Sequence, residues 1–212
     1  MDQSLLILGA AYPDKTYDEL SNFTLGSSNE SIATLRRTMF GNYLGVQLNC
    51  PQCGERLELA LNDQMFTALV EAKEGVVEVE GLQFRPVTLR DLAFVAADKD
   101  VEKAAIRLAK VCSLGPVEDY RWTNEFLEKV GQSLDRVDPA ANVELALDCG
   151  CCHHAWNEIF DLTRFFWQEI EMRIQRLFID VHCLASAYGW TEAEVLALDP
   201  ERRKIYLGMV GA

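Results

Sequence analysis

The sequence lacks both the long apolar runs of a membrane protein and the positive charge of a nucleic-acid binder. None of its apolar stretches approaches the roughly 18 uninterrupted residues that a membrane span needs. Its 20 Lys and Arg stand against 33 Asp and Glu, a formal net charge of −13. Proteins that bind a phosphate backbone cluster Lys and Arg instead. We therefore expect no membrane span and no nucleic-acid surface.

Common signatures of catalysis are also absent from the sequence. It has no Gly-rich phosphate loop, no His-Glu-x-x-His and no nucleophile placed beside a base. Its start does not match a secretion signal, because Met1-Asp2-Gln3-Ser4 carries an acid where such signals are basic. These absences favour a protein that is not an enzyme and that acts in the cytoplasm.

What the sequence does contain is cysteine, with seven residues in 212, four of them in two pairs of equal spacing. Cys50 and Cys53 form one Cys-x-x-Cys, and Cys149 and Cys152 form the second. At this spacing a tight turn lets both sulfurs of a pair reach one tetrahedral Zn²⁺. Reduced cytoplasmic thiols serve metals better than disulfides, so the sequence predicts one zinc held by these four residues. Four protein ligands leave no position for water or substrate, which makes the predicted zinc structural.

The second cysteine cluster leaves the fourth ligand open. It continues past Cys149 as Gly150-Cys151-Cys152-His153-His154, so Cys151, His153 and His154 are alternates to Cys152. The pair Cys149 and Cys152 keeps the two-residue gap of the usual knuckle, and we prefer it for that reason. Two other uses of the thiols remain as alternatives. One is a redox pair or disulfide, although a thioredoxin-like motif opens a helix, and the other is burial as small apolar side chains.

The predicted fold is α+β and mainly helical, with a small zinc ribbon split by a helical insertion. Residues 56–61 and 143–148, beside the two cysteine pairs, alternate apolar and polar side chains as strands do. Four parts follow from this division. They are an amino-terminal helical segment at 1–49, the split ribbon at 50–61 and 143–160, a mostly helical insertion at 62–142, and amphipathic carboxy-terminal helices at 161–212.

Capping signals and apolar periodicity predict the elements within these parts. The predictions are an apolar element at 5–12 followed by a polar loop, a helix capped by Ser27 with Glu30, a short helix at 63–72, a hairpin arm at 76–84, helices capped by Thr88 and Asp100, a helix over 123–136, a long helix over 163–186, and short helices begun by Thr191 and Asp199. Cys112 and Cys183 fall on apolar helical faces and are expected in the core.

The carboxy-terminal end is predicted to carry a partner interface. Trp190, Arg202, Arg203 and Tyr206 lie on short helices that add little core. Trp, Tyr and Arg are the residue types that dominate binding hot spots. A DNA-reading helix-turn-helix is the alternative for this segment, but the acidic balance and the lack of a basic recognition face argue against it.

Several segments resemble one protein family. They are Leu35-Arg36-Arg37-Thr38-Met39-Phe40-Gly41, Cys50-Pro51-Gln52-Cys53-Gly54-Glu55, Arg90-Asp91-Leu92, and Tyr188-Gly189-Trp190-Thr191-Glu192 with Arg202-Arg203. They resemble baseplate hub assembly proteins of contractile-tailed phages and related contractile injection systems, from about Ser31 onward. One departure is the second knuckle, which reads Cys-Gly-Cys-Cys-His-His where a simple Cys-x-x-Cys is expected.

The resemblance implies a non-enzymatic role in virion assembly. The protein would help to build the hub or spike of a baseplate, either as a component of the particle or as a chaperone that leaves. Its partners would be hub or spike proteins, met in the cytoplasm of a host bacterium. Two other classes stay as alternatives: a zinc-ribbon regulatory or adaptor protein that acts through protein–protein contacts, and a redox or metal-dependent enzyme.

Overall fold

The computed structural model describes residues 3–61, 75–117 and 120–211. Of these residues, 56% are helical and 16% lie in strands of small antiparallel sheets, which confirms the predicted mainly helical α+β fold. The helix predicted at 63–72 lies outside the described residues. The chain divides into two compact units, residues 1–163 and 164–212. The finer division of the first unit into amino-terminal segment, ribbon and insertion stays a prediction.

Among the described residues of the first unit, most helices begin at a Thr or Asp whose side chain accepts a backbone N–H from the first turn. The helices are α1 (Gln3–Ala11), α2 (Tyr17–Ser21), α3 (Leu25–Phe40), α4 (Leu89–Val95), α5 (Val101–Cys112) and α6 (Asn124–Val137), followed by a 3-10 turn at Pro139–Ala141. The capping residues are Thr16, Thr24, Thr88, Asp100 and Thr123. Each cap satisfies an N–H that the helix itself leaves unpaired.

Two helix starts differ from the sequence-based expectation. The helix α3 begins at Leu25, because the Thr24 hydroxyl accepts the Ser27 N–H at 3.1 Å. Ser27 therefore lies inside the helix, and the prediction that it caps the helix was wrong. The helix α2 occupies a segment predicted as a loop, and a capping box of Thr16 and Glu19 starts it. That box was readable in the sequence as Thr-x-x-Glu.

The described residues of the first unit also form three two-stranded antiparallel sheets. They pair β1 (Leu44–Asn49) with β2 (Arg56–Leu61), β3 (Val77–Val79) with β4 (Leu82–Phe84), and β5 (Glu144–Asp148) with β6 (Ala155–Ile159). In β5 buried and exposed residues alternate, as expected for a strand with one covered face. Sequence reasoning missed β1, whereas it predicted β2 with its observed bounds.

A core of apolar side chains joins the β3–β4 hairpin to α5 and α6. Its buried members are Val77, Val79, Phe84, Cys112, Phe126 and Val130. Phe84 lies 6.1 Å from Phe126 between ring centroids, and Trp122 contacts both rings edge-on. Cys112 is 1% exposed, so the expectation that it belongs to the core is confirmed.

Hydrogen bonds from the buried Arg36 side chain link the end of α3 to the chain just before β1. Arg36 is only 3% exposed. Its guanidinium donates to the carbonyl oxygens of Gly41 at 2.9 Å and Tyr43 at 2.8 Å. Burial of the charged group is tolerable because these bonds satisfy it.

The second unit contains most of one long helix and two short ones. They are α7 (Leu162–Tyr188), which starts just before the unit boundary, α8 (Glu192–Leu196) and α9 (Pro200–Val210). Leu184, Val195 and Leu207 form a small buried cluster where these helices meet. Thr191 and Asp199 cap the two short helices as predicted. In the described part of the chain, no helix combines the length and the apolar character that crossing a membrane requires.

Candidate metal centre

The first knuckle is the turn of the β1–β2 hairpin. The Cys50 N–H donates to the Glu55 carbonyl at 2.8 Å, and the Gly54 N–H donates to the Cys50 carbonyl at 2.9 Å. Gly54 has φ of 75°, in the left-handed region that glycine enters at little cost. This tight turn brings the side chains of Cys50 and Cys53 to the same end of the hairpin.

The second knuckle repeats this backbone pattern at the turn of the β5–β6 hairpin. The Cys149 N–H donates to the His154 carbonyl at 2.9 Å, and the His153 N–H donates to the Cys149 carbonyl at 2.8 Å. His153 has φ of 56° and stands where the first knuckle has Gly54. In both turns the residue with positive φ directly follows the second cysteine of a Cys-x-x-Cys. The backbone therefore makes Cys152 the equivalent of Cys53.

The two knuckles bring four sulfur atoms into one cluster. The Sγ atoms of Cys50, Cys53, Cys149 and Cys152 all lie within 4.8 Å of one another. Cys50 Sγ lies 3.6 Å from Cys152 Sγ, and Cys53 Sγ lies 3.6 Å from Cys149 Sγ. Sulfurs bound at about 2.3 Å to one tetrahedral metal ion are separated by about 3.8 Å. The cluster therefore has the dimensions and the donor atoms of a four-thiolate site that can hold a metal ion.

The three alternates stand outside this cluster. Cys151 is exposed and is not one of the four clustered residues. The His154 ring stacks on Trp156 with centroids 5.7 Å apart. His153 contributes its backbone to the knuckle through the bond to the Cys149 carbonyl. The structure thus brings together the four residues preferred from the sequence.

The electrostatics of the cluster show why it would favour a cation. Burial raises the pKa of the Cys50 thiol, but hydrogen bonds from the backbone N–H groups of Cys53 and Gln52 and from the Cys152 and Cys53 thiols together lower that pKa to about 7. The Glu55 N–H lowers the pKa of Cys53, yet the Cys152 thiol, burial and the remaining thiols raise it to about 12. Ionisation of one thiol thus opposes ionisation of its neighbours. A divalent cation at the centre would remove this conflict, because it stabilises every thiolate at once.

Burial is unequal across the cluster. Cys50 and Cys149 are buried, Cys152 is partly exposed and Cys53 is exposed. The first residue of each knuckle therefore faces the protein and the second lies nearer to solvent. With all four positions of a tetrahedron supplied by the chain, the site is suited to holding two hairpins together.

The fold and the site together define a mainly helical α+β protein in which two knuckle hairpins share a four-cysteine cluster. Comparison of the chain with protein-family models, with curated proteins and with solved structures finds no match.

Proposed function

We propose that the four-cysteine cluster binds one structural Zn²⁺. The observation that carries this proposal is the convergence of Cys50, Cys53, Cys149 and Cys152 within 4.8 Å. Tetrahedral four-sulfur sites select zinc or iron, and closed sites of this kind are the usual structural zinc sites. When bound, the zinc would supply a cross-link between the two hairpins. An iron site would absorb visible light and a zinc site would not, so an absorbance spectrum beside elemental analysis distinguishes the two metals.

The zinc would act by joining segments that are far apart in the sequence. Cys53 and Cys149 are separated by 96 residues, so the cross-link closes a long loop. Closing a loop of that length costs chain entropy, which metal binding offsets. The β1–β2 and β5–β6 hairpins would then hold the two ends of the intervening segment.

We further propose that the protein is a non-enzymatic component or assembly chaperone of the baseplate hub of a contractile phage tail or injection system. Support comes from the sequence segments that resemble hub assembly proteins and from the structural character of the cluster. The alternative, a zinc-ribbon adaptor, also acts through protein contacts and shares the same cluster. Hub or spike proteins in the cytoplasm of a host bacterium are the partners that the first proposal names.

The exposed middle of α7 is the surface that best suits such a partner. Met172, Ile174, Phe178 and Ile179 are all large apolar side chains that are 44–66% exposed. Ile174 and Phe178 lie four positions apart, and Met172 and Ile179 seven positions apart, so each pair shares one side of the helix. Exposed apolar patches, unlike single exposed apolar residues, mark protein-interaction sites. We call residues 172–179 the mid-α7 surface and propose that a hub or spike protein covers it.

This placement differs from the interface suggested by the sequence. Trp190 and Tyr206 are partly buried against the Leu184 cluster, with their ring centroids 5.0 Å apart. Arg203 donates to the carbonyls of Leu196 at 3.3 Å and Leu198 at 3.2 Å. These three side chains hold the short helices together. Of the four residues first proposed for the interface, Arg202 is the exposed one.

The test is co-purification with hub and spike proteins encoded beside this protein. The double variant Phe178→Ser with Ile179→Ser should lose at least about thirtyfold in affinity, the loss typical when hot-spot residues are truncated. Met39→Ser is the matched control, because Met39 on α3 is exposed to a similar degree, 54% against 58% for Phe178. Undiminished capture by the double variant would remove the mid-α7 surface from the proposal. Failure of every hub and spike protein to bind the unaltered chain would favour the adaptor alternative.

A further inference from the structure

The four sulfurs of the cysteine cluster differ in their access to solvent. Cys53 is exposed and Cys152 is partly exposed, whereas Cys50 and Cys149 are buried. A dissolved oxidant therefore reaches the second cysteine of each knuckle before it reaches the first. Oxidants attack thiolates that are open to solvent, and buried thiols react slowly. Cys53, as the most accessible of the four, is the expected first point of attack.

Each accessible sulfur has a buried sulfur of the other knuckle close by. Cys53 Sγ lies 3.6 Å from Cys149 Sγ, and Cys152 Sγ lies 3.6 Å from Cys50 Sγ. A disulfide needs a sulfur–sulfur separation of about 2.0 Å, so either pair closes once the two side chains approach by about 1.6 Å. Each of these contacts joins a sulfur that an oxidant can reach to a sheltered sulfur that can attack it afterwards.

From this arrangement we propose that the cluster is a hydroperoxide-sensitive switch, in which oxidation joins Cys53 to Cys149 and Cys50 to Cys152 and releases the metal. The metal release rests on the proposed zinc site. The pairing of the sulfurs rests on the distances between them. The switch therefore adds a form of regulation to a site whose first role is structural.

The chemistry of the switch needs one hydroperoxide for each disulfide. The Cys53 thiolate attacks a peroxide oxygen, which breaks the O–O bond, leaves a sulfenic acid on Cys53 and, with a proton from solvent, expels water. The Cys149 thiolate then attacks the Cys53 sulfur, and the sulfenic oxygen takes a second proton and leaves as water. Two thiolates thereby lose two electrons, and one hydrogen peroxide becomes two waters. The same steps at Cys152 and Cys50 complete the oxidation.

The two disulfides would keep the hairpins joined after the metal has left. Thiolates are the form of cysteine that holds a metal ion, and oxidation of both pairs leaves none in the cluster. Cys53 and Cys149 are 96 residues apart, so a disulfide between them closes the same long loop as the zinc. Disulfides within each knuckle would instead leave the two hairpins unconnected. A thiol reductant with added zinc should reverse the change.

The test oxidises the full, metal-loaded chain in a Cys151→Ser background, which removes an exposed thiol outside the cluster. Hydrogen peroxide is added, and a chromogenic indicator follows the release of zinc. We expect about one zinc to be released for every two molecules of hydrogen peroxide consumed, because each disulfide uses one. Dithiothreitol followed by zinc should restore the original metal content.

Digestion with trypsin in the absence of reductant then maps the disulfides. Cleavage after Lys and Arg places both cysteines of the first knuckle in residues 38–56 and both of the second in residues 137–164. We expect these two peptides to remain joined, and their fragmentation in the mass spectrometer to show Cys53 bonded to Cys149 and Cys50 bonded to Cys152.

Three results would overturn the switch: two separate peptides that each contain an internal disulfide, sulfinic acid at Cys53 in place of a disulfide, or full zinc content after oxidation. Failure of the zinc proposal looks different. A chain that is purified without zinc would contradict the zinc site, and the same peptide map would still decide how the four sulfurs pair.

Discussion

The residue with positive φ in each knuckle yields a matched pair of substitutions with opposite expected effects. His153 holds φ of 56°, where a residue other than glycine is strained, and Gly54 holds φ of 75° at the equivalent position. Left-handed backbone costs a non-glycine residue about 1–2 kcal/mol. Glycine in turn loses about 0.5–1 kcal/mol more conformational entropy on folding. The difference between these two terms should raise the free energy of unfolding by about 0.5–1 kcal/mol in His153→Gly. It should lower that free energy by a similar amount in Gly54→Ala.

Unfolding in urea at a fixed free zinc concentration measures both effects. Gly150→Ala is the control, because Gly150 lies in the second knuckle without a positive φ and with open space around it. We expect that variant to change the free energy of unfolding by less than about 0.5 kcal/mol. His153→Gly should also keep its full metal content, because the His153 ring is not counted among the ligands. A destabilised or metal-depleted His153→Gly protein would refute this account of the knuckle.

Three further predictions concern the packing around α3. Gly26→Ala should destabilise the fold by about 1–3 kcal/mol through overpacking, because the added Cβ would lie 1.7 Å from Asp138 Oδ1. Urea unfolding should show a smaller cost of this substitution in an Asp138→Ala background. An equal cost in both backgrounds would contradict the clash. Burial raises the folded-state pKa of Asp138, so folding favours the protonated form of this carboxyl. The stability that Asp138 contributes is therefore greatest below about pH 4 and is lost as the pH rises through the folded pKa. Asp138→Asn should therefore gain stability relative to the unaltered chain between acid and neutral pH, and a gap that stays constant with pH would contradict this linkage. Arg36→Met should lower the free energy of unfolding by about 3 kcal/mol, because the carbonyls of Gly41 and Tyr43 lose a charged donor. A decrease below about 1 kcal/mol in the same assay would mean that water replaces the guanidinium.

Local patterns in the sequence were enough to predict the knuckles and many element starts. The Cys-x-x-Cys spacing specifies a turn, and the alternation over 56–61 specifies the strand that follows it. Thr88, Asp100 and Thr123 cap helices with bonds to residues three positions ahead, so their role is visible within a few residues of sequence. These features depend on near neighbours in the chain.

Features that depend on distant neighbours could not be predicted in the same way. Arg36 looks like a surface residue until β1 is placed beside the end of α3. Asp138 reaches Gly26 across 112 residues, and nothing near either residue in the sequence signals that contact. Trp190 and Tyr206 have the composition of a binding surface, but their packing against the Leu184 cluster follows from how α7, α8 and α9 meet.

The equivalence of the two knuckles could be predicted only in part from the sequence. Gly54 is a common residue for a left-handed turn, so the first knuckle is easily read. His153 carries no such signal, and the sequence therefore left Cys151, His153 and His154 as alternates. The matching hydrogen bonds of the two turns supply the information that the sequence lacks.

The zinc content of single-cysteine variants tests the central claim most directly. Elemental analysis of protein purified without added metal should find one zinc per chain, and Cys151→Ser should leave that content unchanged. Cys50→Ser and Cys152→Ser should lose the zinc, because each removes one of the four clustered sulfurs. A full equivalent of zinc in the Cys152→Ser protein, or none in the unaltered chain, would contradict the four-cysteine zinc site.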